Sequence, residues 1–89
     1  MRREAAAPLA ESKETLRAAR VLLAEDLPRR AVSEAYYAMF HAATAALASL
    51  DLAYSKHSAV VSAFGREFAR TGVLPARLHQ NLRAAFTMR

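Results

Sequence analysis

RRAVSEAYYAMFHAATAALASL, residues 29–50, is the stretch around which the chain is organised. It holds no Gly or Pro and is rich in Ala, Leu and Met, so it is predicted to be helical. At about 100° per residue it sorts into three faces. Val32, Tyr36, Met39, Phe40, Ala43, Leu47 and Leu50 form a large apolar stripe. Ala35, Ala38, Ala42, Ala45, Ala46 and Ser49 form a face with almost no side-chain bulk. Ser33, Tyr37, His41 and Thr44 run between them as a narrow polar row. A helix apolar over most of its circumference is one that neighbours surround. The stretch is therefore expected to be the central helix of a small bundle, with its alanine face admitting another backbone at close range.

Outward from that helix, the 89 residues make one domain spanning 1–89, near the low end for a self-sufficient core. Oligomerisation is a natural remedy at this size, because there is no cysteine to form a disulfide. The lack of cysteine also fits a cytoplasmic protein. No apolar run reaches the roughly 18 residues of a membrane span, and the amino terminus has no compact apolar core of the signal-peptide kind. Twenty-two alanines against two glycines point to an all-α protein.

Residues 1–7 are expected to be a frayed lead-in, with Pro8 in the first turn of a first helix. Leu9, Leu16, Ala19, Leu23 and Leu27 would form its buried stripe. Asp26-Leu27-Pro28 is the break before the central helix, and so short a connection makes the two helices antiparallel neighbours. After residues 52–54, Ser55 is predicted to cap a third helix whose core stripe is Val60, Val61, Phe64 and Phe68. Gly65 inside that helix signals either a close crossing or simple tolerance. Gly72 suits the left-handed residue after its end. Pro75 opens a fourth helix with Leu78, Leu82, Ala85 and Phe86 facing the core.

The net charge of +5 is unevenly placed. Residues 1–54 carry seven Lys/Arg and seven Asp/Glu; residues 55–89 carry Lys56, Arg66, Arg70, Arg77, Arg83 and Arg89 against Glu67 alone. This asymmetry suits a polyanion or an acidic partner, and it equally suits a solvated arginine-rich surface. His41, His57 and His79 fall on three different predicted helices, none in a zinc-like spacing, so no metal or cofactor is expected. Ser33, Tyr37 and His41 make a polar row that reads either as hydrogen bonding inside a bundle or dimer interface, or as catalytic. At the start of the third helix, Lys56, His57 and Ser58 stand where free backbone N–H groups welcome an anion. Tyr37, His41, Lys56, His57, Ser58, Arg70 and Arg83 are the resulting candidates for nucleotide or phosphate contact.

The run AVSEAYYAMFHAATAAL, then SKHSAVVSAFGREFARTGVLP, then LRAAFTMR resembles the HEPN domain family. It is similar in particular to the small stand-alone HEPN proteins often encoded beside a minimal nucleotidyltransferase. The resemblance covers about residues 10–89. It implies an up-and-down four-helix bundle, commonly a homodimer, in prokaryotic toxin–antitoxin-type or nucleotide-modifying pairs; some members are metal-independent ribonucleases. Catalytic members carry an Arg followed after four to six residues by a His. Here Arg30 stands eleven residues before His41, Arg70 nine before His79 and Arg77 two before it, so the motif is absent. Relatives continue past the LRAAFTMR region into a further helix, and the resemblance implies that this last helix is lacking. The expectation is thus a non-catalytic HEPN binding module, with a minimal nucleotidyltransferase as protein partner and with nucleotide or RNA as a further ligand. The alternative is a metal-independent ribonuclease or nucleotide-transfer subunit that uses the Tyr/His row.

Overall fold

A computed structural model describes residues 3–88. Four helices succeed one another: α1 Arg3–Ala24, α2 Pro28–Ala48, α3 His57–Phe64 and α4 Ala76–Met88, with α3 running on into a π-helical turn, Gly65–Ala69. No strand occurs among the described residues. The all-α helical bundle expected from the sequence is the fold observed, and α2 is the helix against which α1, α3 and α4 all pack.

The α1–α2 break falls at Asp26-Leu27-Pro28, as expected. Asp26 takes the left-handed conformation, with φ 60°. The N–H of Leu27 then donates to the carbonyl of Leu22 (2.9 Å) and that of Asp26 to Leu23 (3.1 Å). Asp51 ends α2 in the same way, with φ 61°, Leu52 donating to Leu47 and Asp51 to Ala48. Aspartate is among the few non-glycine residues that visit this conformation readily, so it closes two helices here. Gly72, with φ 77°, has the predicted left-handed conformation after the third helix.

Where α1 meets α2, small residues face small residues. Ala5, Ser12 and Ala19 recur at seven-residue steps on α1; Ala31, Ala38 and Ala45 do so on α2. The five alanines are buried. Ser12 Oγ donates to the carbonyl of Ala38 across the seam at 2.7 Å, which requires the two backbones to be close. With the helices antiparallel, that bond sets Ala5 level with Ala45 and Ala19 level with Ala31.

On the other side of α2 the core is built from bulk. Tyr36 and Leu47 of α2, Val60, Val61 and Phe64 of α3, Phe68 of the π turn and Leu82 of α4 form one buried cluster. In a straight α-helix, i,i+4 steps drift by about 40° each. The wider π turn opposes that drift and keeps Phe68 on the core face below Phe64.

Several expectations are corrected. Helix α1 begins at Arg3, so Pro8 lies inside it, where the bond its missing N–H would have made is lost and its ring crowds the carbonyl one turn back. Residues 1 and 2 lie outside the described residues. Of the expected α1 stripe, Ala19 is buried and Leu9 half-buried, but Leu16, Leu23 and Leu27 are exposed. The seam is centred on the small residues, and α3 and α4 lie on the far side of α2, so no third helix among the described residues covers those leucines. Val32 and Leu50, at the ends of the α2 stripe, are exposed for want of the same cover. Ala42 and Ser49 of the alanine face are exposed as well. Ala42 opens instead on an apolar cleft of about 280 Å³ between α2 and α4, beside Met39, Leu78 and Leu82. Ser55 does not cap α3. The N-cap is Lys56, without a side-chain bond, because the helix begins one residue later than Ser55 could serve. Leu78, expected to face the core, is exposed, while the buried Leu82 of α4 joins the core cluster.

Candidate functional site

Gly65 is where α3 becomes a π turn, and the N–H of Arg70 donates to its carbonyl at 2.9 Å, an i→i−5 bond. A π turn inside a helix re-aims the side chains that follow it and is frequent at functional sites. Here it sets Arg66 and Arg70 on one wall of an open groove between α3 and α4. His79, Gln80 and Arg83 come from α4, and Ser58 from the first turn of α3. The groove measures about 940 Å³, and no carboxylate lines it among the described residues.

Its three arginines are not equivalent. Arg66 Nη2 donates to the Tyr54 hydroxyl (2.9 Å) and its Nε to Glu67 Oε2 (3.0 Å). The hydrogen bond that Arg66 donates to the Glu67 carboxylate, with the nearby Tyr54, moves the guanidinium further above its already high ordinary value. Arg66 is thereby held in place by its neighbours. The side chains of Arg70 and Arg83 have no such partner among the described residues, and both are exposed.

The groove floor rests on a close approach. A Cβ built on Gly65 would lie 2.5 Å from His79 Nε2 and 2.6 Å from Cε1, so the imidazole occupies the space a side chain would take. Of the two readings of Gly65, close crossing is the one observed. His79 is half-buried, with the Phe64 ring 6.5 Å from its own, and neither ring nitrogen has a hydrogen-bond partner among the described residues.

A second cluster surrounds His57. Its ring stacks on Phe40 at 4.0 Å, and its Nδ1 lies 2.9 Å from the hydroxyl of the buried Tyr36. Tyr37 meets His57 edge-on at 5.9 Å and lies 6.3 Å from His41. The predicted candidates thus divide. Ser58, Arg70 and Arg83 converge on the groove; Tyr37, His41 and His57 gather at the second cluster; Lys56 is exposed at the N-cap of α3. The two sets are not one site. Sequence reasoning missed His79, Gln80 and Arg66. For His79 a partial signal existed in Gly65, whose place mid-helix has a cost that a close neighbour explains as well as simple tolerance does. No group of three potential metal ligands occurs among the described residues, and no described helix is long and apolar enough to cross a membrane.

Comparison with known proteins gives a consistent picture. The family model described as HEPN domain matches residues 6–89. A UPF0332 protein of Gloeobacter violaceus is 42% identical over 71 residues, 80% of this chain and 56% of that protein. A UPF0332 protein of Thermotoga maritima is 43% identical over 61 residues, 68% of this chain and 46% of that one. A Methanocaldococcus jannaschii protein named "Putative toxin" is 39% identical over 74 residues, 83% of this chain and 55% of that one. The chain spans about half the length of the curated relatives it matches. No solved structure matches it.

Proposed function

The chain belongs to the HEPN domain family, and we propose that it is the non-catalytic binding module of a prokaryotic toxin–antitoxin-type pair, carrying nucleotide or RNA phosphates on its α3–α4 groove. The observation that carries this is the convergence of Arg66, Arg70 and Arg83 on a groove lined by no carboxylate among the described residues. The toxin-named relatives support the paired role. A minimal nucleotidyltransferase is the protein partner in this reading, a cytoplasmic setting follows from it, and the exposed Leu16, Leu23 and Leu27 of α1 offer apolar surface for a homodimer.

Binding of a single-stranded RNA oligonucleotide, followed by fluorescence polarisation over a salt series, tests the reading. Each neutralised phosphate contributes a log–log slope of about −0.7 on single strands. Arg70→Ala and Arg83→Ala should each flatten the slope by somewhat less than one contact and leave sequence preference unchanged. The RNA should remain intact throughout. Binding that ignores salt would reduce the arginines to a solvated surface. A second reading has a specific observation behind it, the approach of the Tyr37, His41 and His57 rings. RNA cleavage abolished by His41→Ala or Tyr37→Phe would replace the binding module with an enzyme.

A further inference from the structure

Gly65 and His79 do more for the groove than close a helix crossing. His79 is an imidazole held by packing rather than by hydrogen bonds: the bare backbone of Gly65 lies against it and Phe64 beside it. It shares the groove with Arg70 from the end of the π turn and Arg83 one turn further along α4. His79 and Arg83 stand at i and i+4 on α4, so they face the same way. Two guanidinium groups and an imidazole, none with a hydrogen-bond partner of its own among the described residues, thus share one floor and its walls. Imidazole N–H and guanidinium N–H are the donors that a tetrahedral oxyanion accepts from, and bonds to an anion are the stronger kind.

We infer that His79, positioned by the missing side chain of Gly65, joins Arg70 and Arg83 in a discrete site for one phosphate ester group. This rests on the phosphate-binding reading of the groove and sharpens it. Diffuse attraction by exposed arginines would leave a half-buried imidazole untouched, whereas a discrete site on the groove floor would engage it. Gly65 is a positioning residue here: it touches no ligand and acts through the ring it admits.

The histidines supply the readout. In long-range ¹H–¹⁵N spectra of the full chain, the imidazole of His79 should shift when inorganic phosphate, a nucleoside monophosphate or a single-stranded RNA oligonucleotide is added. His41 and His57, outside the groove, should stay still and serve as internal controls. A shift with phosphate and monophosphate alone assigns the site to a free phosphate group; a shift with RNA alone assigns it to a phosphodiester. Either supports the site. His79→Ala should weaken binding of the effective probe about tenfold or more, the size of one hydrogen bond to a charged group. Gly65→Ala should weaken it comparably without removing any charge, because the new methyl displaces the ring. Should Gly65→Ala alone fold poorly, the double variant Gly65→Ala/His79→Ala has room for the methyl. It should then recover the thermal midpoint but not the binding. If His79 is silent to all three probes and His79→Ala binds normally, while Arg70→Ala and Arg83→Ala still flatten the salt slope, the discrete site is overturned and the polyanion-binding reading survives. If the arginine variants also leave the salt dependence unchanged, both fall.

Discussion

The two sides of α2 are made by opposite means. Toward α1, Ala31, Ala38 and Ala45 meet Ala5, Ser12 and Ala19, and contact is achieved by having almost nothing there. Toward α3 and α4, Tyr36 and Leu47 meet Val60, Phe64, Phe68 and Leu82, and contact is achieved by filling space. Burial of apolar area stabilises by roughly 25 cal/mol per Å², so the bulky side holds most of the hydrophobic stabilisation. The small-residue side gains instead from close backbone approach, dispersion and the Ser12–Ala38 hydrogen bond. The two sides should therefore respond oppositely to side-chain size. Removing volume harms one, and adding volume harms the other.

The largest effect is expected where volume is removed from the bulky side. Phe64 touches the core cluster, the apolar cleft and, through His79, the groove. Phe64→Ala should destabilise by about 3–5 kcal/mol, transfer and cavity contributions together, read from the denaturant midpoint at constant m-value. A loss under about 1 kcal/mol would mean that the cluster closes over the gap, and that this side is not tightly packed.

Adding volume to the seam comes next. Ala38→Leu sets a branched side chain beside the carbonyl that accepts from Ser12 and should destabilise by about 1–3 kcal/mol. Thermal unfolding of Ala38→Leu beside Ser12→Ala separates the contributions, since the serine variant removes only a hydrogen bond, worth about 0.5–1.5 kcal/mol. An Ala38→Leu protein as stable as its parent would show that α1 rides loosely on α2 in solution.

This contrast also explains what was legible in the sequence. Helix class, the three connections, the left-handed Gly72 and the α3 stripe could be read, because hydrophobic period and turn chemistry are local. The α1 stripe could not. Leu16, Leu23 and Leu27 have the spacing of buried residues, but spacing reports which residues share a face, not whether a third helix lies beyond it. Only the register set by Ser12 against Ala38 turns α1 so that its alanines face inward. The groove was half legible. Charge counting found Arg70 and Arg83, and helix-terminus reasoning found Ser58. His79 escaped because its partner across the groove is a glycine, which carries no chemistry in the sequence. Likewise Tyr36 was read as bulk, and its hydroxyl bond to His57 depends on the crossing of α2 and α3. That bond engages the Nδ1 of His57 at the buried Tyr36 hydroxyl.

The smallest effect sharpens the comparison most, because it falls on the border between the two sides. From its face on α2, Ala42 belongs with Ala38 and Ala45, and a leucine there would be expected to overpack as at the seam. In the structure Ala42 is exposed and stands at the mouth of the cleft lined by Met39, Ala43, Ala46, Phe64, Leu78 and Leu82. A larger side chain has somewhere to go, and the seam lies to the other side. Ala42→Leu should therefore change stability by no more than about 0.5 kcal/mol in either direction, as surface substitutions do, measured by thermal unfolding at several protein concentrations. A gain would mean that the leucine buries itself in the cleft, extending the bulky core outward past Ala43. A loss of about 1–3 kcal/mol at every concentration would mean that the small-residue seam reaches as far as Ala42. A loss that appears only at high concentration would mean that a second chain covers the cleft, since only association makes stability depend on concentration.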